Sequence, residues 1–110
     1  MIPTLRLVFL LFLAAIVGTT SWASTVVALW ETPRAVATHP WFIATLVDTY
    51  LAFFTFWLWV AYKERSWPAR LAWLAGICLL GNIAMAVYLL IKLFRLPADA
   101  PIEKLLLRET

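Results

Sequence analysis

The sequence predicts an all-α integral membrane protein with three transmembrane helices, the second and third forming an antiparallel hairpin, and a short amphipathic C-terminal segment. The first ground is composition: the 110 residues are 65% hydrophobic and 14% charged, against about 45–50% and about 25% in soluble domains. So small a domain cannot hide that surplus, and it suits a chain whose solvent is largely lipid. The second ground is the recurrence of long stretches without ionisable side chains. The third is placement of tryptophan: Trp22, Trp30, Trp41, Trp67 and Trp73 fall near the expected span ends, where indole settles at headgroup level.

The first span is expected over about residues 5–22, most of it in the charge-free stretch from Leu7 to Trp30. A competing reading is a secretory signal, with Arg6 as its charge, Leu7 to Val17 as its apolar region and Ser21-Trp22-Ala23 as a cleavage pattern. The uncleaved anchor is favoured, since an ordinary first span has the same features. Glu31 to His39 is a polar connection, after which Thr38 can cap a second helix with Pro40 in its first turn. That helix is expected over 40–62, a tight charged turn at Lys63-Glu64-Arg65-Ser66-Trp67-Pro68 follows, and the third span over 70–94. In the tail, 95–110, Asp99 and Pro101 suggest a helix start, and Leu105, Leu106 and Leu107 need cover from a bilayer surface or a partner.

Three spans account for more than half of the chain, so no separate catalytic domain is expected within it. They would put Arg6, Lys63, Arg65 and Arg70 on one side and Arg34, Lys92, Arg95, Lys104 and Arg108 on the other. Four against five is no bias. The short loops lean towards the N-terminus inside. The net charge of +3 comes from residues at segment ends, which suits lipid headgroups and not nucleic acid.

Three glycines, one histidine and one cysteine leave no phosphate-binding glycine loop, no paired-histidine site within one chain and no usual zinc or iron–sulfur ligand set. No catalytic, cofactor-binding or metal-binding residue is assigned, and no cofactor is expected. Cys78 and Met85 read as packing residues. A trio of Ser21 or Ser24 with His39 and Asp48 matches no nucleophile motif.

The polar residues inside the spans are more informative. At 100° per residue, Thr45, Asp48, Ala52, Thr55, Trp59 and Tyr62 share one face of the second helix, and Tyr50, Phe53, Phe54 and Trp57 share the other. The aromatic face is expected to meet lipid. On the third helix Cys78, Gly81, Asn82, Met85, Tyr88 and Lys92 form a stripe expected to face the polar one. In such a hairpin Asp48 is level with Tyr88, so the expected intramembrane cluster is Asp48, Tyr88 and Lys92 with Asn82 deeper. Asp48 then has two readings, a proton or cation site or a polar link between helices, and the structural one is favoured. His39 and Trp41 are candidate interface residues, with His39 more simply a cap or headgroup contact than a proton-responsive group.

The stretches His39-Pro40-Trp41-Phe42-Ile43-Ala44-Thr45, Asp48-Thr49-Tyr50, Trp59-Val60-Ala61-Tyr62-Lys63-Glu64, Gly81-Asn82-Ile83-Ala84-Met85-Ala86 and Arg95-Leu96-Pro97-Ala98-Asp99-Ala100-Pro101 together resemble an uncharacterised family of small multi-span membrane proteins of bacteria and plants, defined by a domain of unknown function. The resemblance implies a fold class and a compartment, but no activity. The function expected is that of an accessory or scaffolding subunit in a membrane, the bacterial inner membrane being favoured, with the lipid bilayer and a membrane protein or a second copy as partners. The alternative is an oligomeric small transporter or channel that uses Asp48; an enzyme is disfavoured.

Overall fold

The computed structural model describes residues 1–107, so the expectation for Arg108 lies outside the described residues. The described chain is helical, with α1 (Ile2–Val26), a short 3-10 turn (Leu29–Glu31), α2 (Arg34–Ala37), α3 (Pro40–Lys63), α4 (Trp67–Leu80), α5 (Asn82–Phe94) and α6 (Glu103–Leu106). Prolines sit in the first turns of α1, α3 and α4, where a missing N–H costs nothing. The cap of α3 is His39, not Thr38: its Nδ1 accepts from the Trp41 N–H at 3.2 Å, while the Thr38 hydroxyl donates back to the Arg34 carbonyl. At the other end of the chain α6 is capped by Ile102 and not by Asp99.

Helices α1 and α3, with 25 and 24 residues, are long and apolar enough to cross a bilayer. The third expected span is not one helix. Gly81, at φ 58° and ψ −123°, separates α4 from α5 and turns the chain back on itself. The rings of Trp73 and Tyr88 lie 4.9 Å apart, whereas one continuous helix would separate those residues by about 22 Å. A Cβ placed on Gly76 would likewise sit 3.9 Å from that of Ala84. With 14 and 13 residues, α4 and α5 measure about 21 and 20 Å, short of the roughly 30 Å hydrocarbon thickness. The charge-free run was legible; its reversal was not, because hydropathy carries no information about chain direction.

Although Phe54 stays exposed and Trp59, from the expected polar face, packs on Tyr88, most of the face assignments of α3 are also reversed. Its aromatic face packs inward on the α4–α5 pair: Phe53 lies over Gly81, the Trp57 indole N–H donates to the Arg70 carbonyl at 2.9 Å, and the Tyr50 hydroxyl donates to the Cys78 carbonyl at 3.2 Å. Broad rings bury the most area per residue, and their N–H and O–H groups reach carbonyls on α4. Thr45, Asp48 and Thr55 stay exposed, and both threonines satisfy their hydroxyls on their own helix.

Helix α1 runs antiparallel to α5 and is tied to it by Arg6. The guanidinium donates to the carbonyls of Leu93, at 3.1 and 3.2 Å, and Leu96, at 2.6 Å, and stacks 5.0 Å from the Phe94 ring centroid. These carbonyls lie at and just beyond the end of α5, where a cation is favoured. Beneath them Ile2, Leu93 and Leu105 are buried together, so one of the three tail leucines is covered by the chain itself. Replacing Arg6 with Gln should cost about 1.5–3 kcal/mol, the range of hydrogen bonds to charged groups. Unfolding in mixed micelles, followed by tryptophan fluorescence, measures it; an unchanged midpoint would mean that α1 docks by apolar packing alone.

Candidate functional site

The fold-back gathers most of the charge at one end of the bundle. There α3 stops because Glu64 turns extended (φ −84°, ψ 137°), and Ser66, also extended, leads into α4. Arg70 pins the turn, its Nε donating to the Glu64 carbonyl at 2.8 Å while its guanidinium lies 4.8 Å from the Trp67 ring centroid. The end of α5 arrives beside this turn, bringing Lys92 and Arg95.

The polar centre is Glu64. Its Oε1 accepts from Lys92 Nζ at 2.9 Å and from the Tyr88 hydroxyl at 3.0 Å. Tyr88 is fully buried, enclosed edge-on by Trp73, Trp59 and Phe56, and Lys92 Nζ sits 5.3 Å from its ring centroid. Burial works to raise the Glu64 carboxyl, but the hydrogen bonds from Lys92 and Tyr88 and the charges of Lys92 and Arg95 outweigh it and hold it below its ordinary value.

Around this pair lies a cavity of about 470 Å³ lined by Lys63, Glu64, Arg65, Ser66, Lys92, Arg95, Leu96 and Lys104. The tail closes over one side, with the Trp59 indole N–H on the Leu106 carbonyl and Lys63 Nζ on the Leu107 carbonyl, both at 2.9 Å.

Of the residues expected to cluster, Tyr88 and Lys92 do meet, but on Glu64 and not on Asp48. The expected register assumed a continuous third helix. With the chain reversed at Gly81, Tyr88 lies beside Phe56 and Trp59, and Asp48 falls near the level of the hairpin tip. Asp48 is exposed, and no hydrogen bond or ion pair to it is found among the described residues. Asn82 is also exposed at the mouth of a separate apolar groove of about 630 Å³ between α1 and α5, with Phe9, Phe12, Phe56 and Met85. His39 and Trp41 are exposed at the start of α3, at the opposite end from Glu64.

Glu64 and Arg6 were missed as site residues. Glu64 reads in the sequence as one charge in a turn, and Arg6 as a flanking charge; the partners of both come from α5 and the residues just after it. The available clue was the turn's own composition, since an acid set among Lys63, Arg65 and Arg70 is placed to organise cations.

Neither a curated protein nor a solved structure gives a significant match to this chain. A family model does match, over residues 2–110. The chain therefore belongs to the family described as Protein of unknown function (DUF1475).

Proposed function

We propose that this chain is a small integral membrane protein in which α1 and α3 cross the bilayer and α4–α5 forms a re-entrant hairpin, and that it acts as an accessory or scaffolding subunit docking onto another membrane subunit or a second copy. The membrane reading is supported by the exposure of large apolar side chains along both long helices, among them Leu10, Leu11 and Phe12 on α1 and Leu46, Leu51 and Leu58 on α3. The backbone reversal suits this setting because Gly81 itself is buried beneath Phe53.

This arrangement also bears on orientation. Arg6, Lys63, Arg65, Arg70, Lys92, Arg95 and Lys104 belong to one end and Arg34 to the other, a bias that supports the Arg6 end facing the cytoplasm. Single cysteines replacing Arg65, Ala100 and Arg34, in a background with Cys78 changed to Ser, test it with a membrane-impermeant maleimide. Positions 65 and 100 should label from one side and 34 from the other; labelling of 65 and 100 from opposite sides would restore a third full crossing.

The observation that carries the docking role is Asp48, an exposed carboxylate about 12 Å along α3 from its start. Facing lipid it would be costly, so a donor from a neighbouring chain is its natural complement. Asp48→Asn should leave the monomer folded while weakening its complex, as read by native mass spectrometry after mild extraction. A complex indifferent to the substitution, together with Asp48-dependent ion flux in proteoliposomes, would transfer the role to transport.

A further inference from the structure

We propose that the basic cavity between the α3–α4 turn and the end of α5 binds the phosphate of an anionic glycerophospholipid headgroup. This inference rests on the membrane reading above, which puts that end of the bundle at headgroup level. The cavity is of ligand size, and its lining carries five cations, Lys63, Arg65, Lys92, Arg95 and Lys104, against the single acid Glu64. Glu64 is already engaged by Lys92 and Tyr88, so it takes little from the remaining field.

Arg65, Arg95 and Lys104 are exposed, and among the described residues none of their three side chains makes a hydrogen bond or an ion pair with a carboxylate. They come from three separate elements: the α3–α4 turn, the end of α5, and α6. A surplus of guanidinium and ammonium donors converging from three directions matches the several acceptor oxygens of a phosphate better than a point anion. Ser66 adds a hydroxyl and Leu96 an apolar wall, a pairing that fits the junction of headgroup and glycerol. The tail, fastened through the Leu106 and Leu107 carbonyls, keeps Lys104 over the opening and leaves the side chains of Leu106 and Leu107 exposed to rest on the same membrane surface.

The test uses the full chain in neutral detergent, titrated with phosphatidylglycerol, phosphatidylcholine or inorganic phosphate and read by native mass spectrometry. Phosphatidylglycerol should bind in preference to phosphatidylcholine. In an Arg95→Gln, Lys104→Gln double variant that preference should fall roughly 30-fold, the effect of losing two basic residues near an anionic headgroup. Arg34→Gln, at the far end, should leave it unchanged. If the double variant loses its native tryptophan emission, Arg65→Gln carries the same test with a loss of roughly fivefold.

Equal binding of the two lipids, or a preference untouched by the cavity variants, overturns the assignment. Inorganic phosphate binding as tightly as phosphatidylglycerol assigns the site to a soluble phosphate compound and overturns it as well. A chain that needs detergent yet ignores headgroup charge refutes only this inference. One that stays monodisperse in plain buffer refutes the membrane reading and this inference with it.

Discussion

Gly81→Ala should destabilise the protein by about 1–3 kcal/mol from backbone strain alone, with a further loss as Phe53 is displaced. At φ 58° a Cβ is disfavoured whatever the space around it, and here it would also stand 2.7 Å from Phe53 Cζ. The sign of the effect is diagnostic. Were residues 70–94 one continuous helix, the same substitution would stabilise it by about 1 kcal/mol, because alanine is the better helix former. Gly76→Ala supplies the control within the same element: its Cβ would meet Ala84 at an ordinary 3.9 Å, so a gain of up to about 1 kcal/mol is expected. Reversible unfolding of both variants in mixed micelles decides the matter, and a stabilised Gly81→Ala protein would remove the fold-back.

Glu64→Gln should cost about 1.5–3 kcal/mol at neutral pH, the range for hydrogen bonds to charged groups. Glutamine keeps an oxygen for the Tyr88 hydroxyl but leaves Lys92, whose side chain is 21% exposed, without its counter-charge. The pH dependence follows from the lowered carboxyl. An unfolded glutamate titrates near about 4.3, and the folded one lower. The native state therefore binds fewer protons than the unfolded state across that interval, and stability falls with falling pH. The contribution is fully present above the ordinary carboxyl range and is lost as pH drops through the folded value. The gap between wild type and Glu64→Gln should accordingly narrow as the pH is lowered through the folded carboxyl's titration; a gap that stays constant down to acid unfolding would mean that the charge of Glu64 contributes nothing.

Much of the local structure could be read directly. The charged turn expected from Lys63 to Pro68 is where α3 gives way to α4, although Trp67 and Pro68 already belong to α4, and Pro40 lies in a first turn as its chemistry requires. The neighbourhood of Tyr88 and Lys92 was also legible, since both lie on one stripe at helical spacing. Their acid was not, because choosing between Asp48 and Glu64 depends on the direction of the helix that carries Tyr88. The inward turn of Tyr50, Phe53 and Trp57 escaped for a related reason: an aromatic face is equally at home against lipid and against another helix, and only the carbonyls of Cys78 and Arg70 decide between them.

By itself, the sequence determined the helical content, the two long apolar helices and the confinement of most charges to segment ends, because each depends on side chains a few residues apart. The tertiary structure alone decided that Gly81 reverses the chain, that Glu64 holds Tyr88 and Lys92, and that Arg6 closes the end of α5. Those outcomes depend on one positive φ and on groups between 24 and 90 residues apart in the chain, and local periodicity records neither.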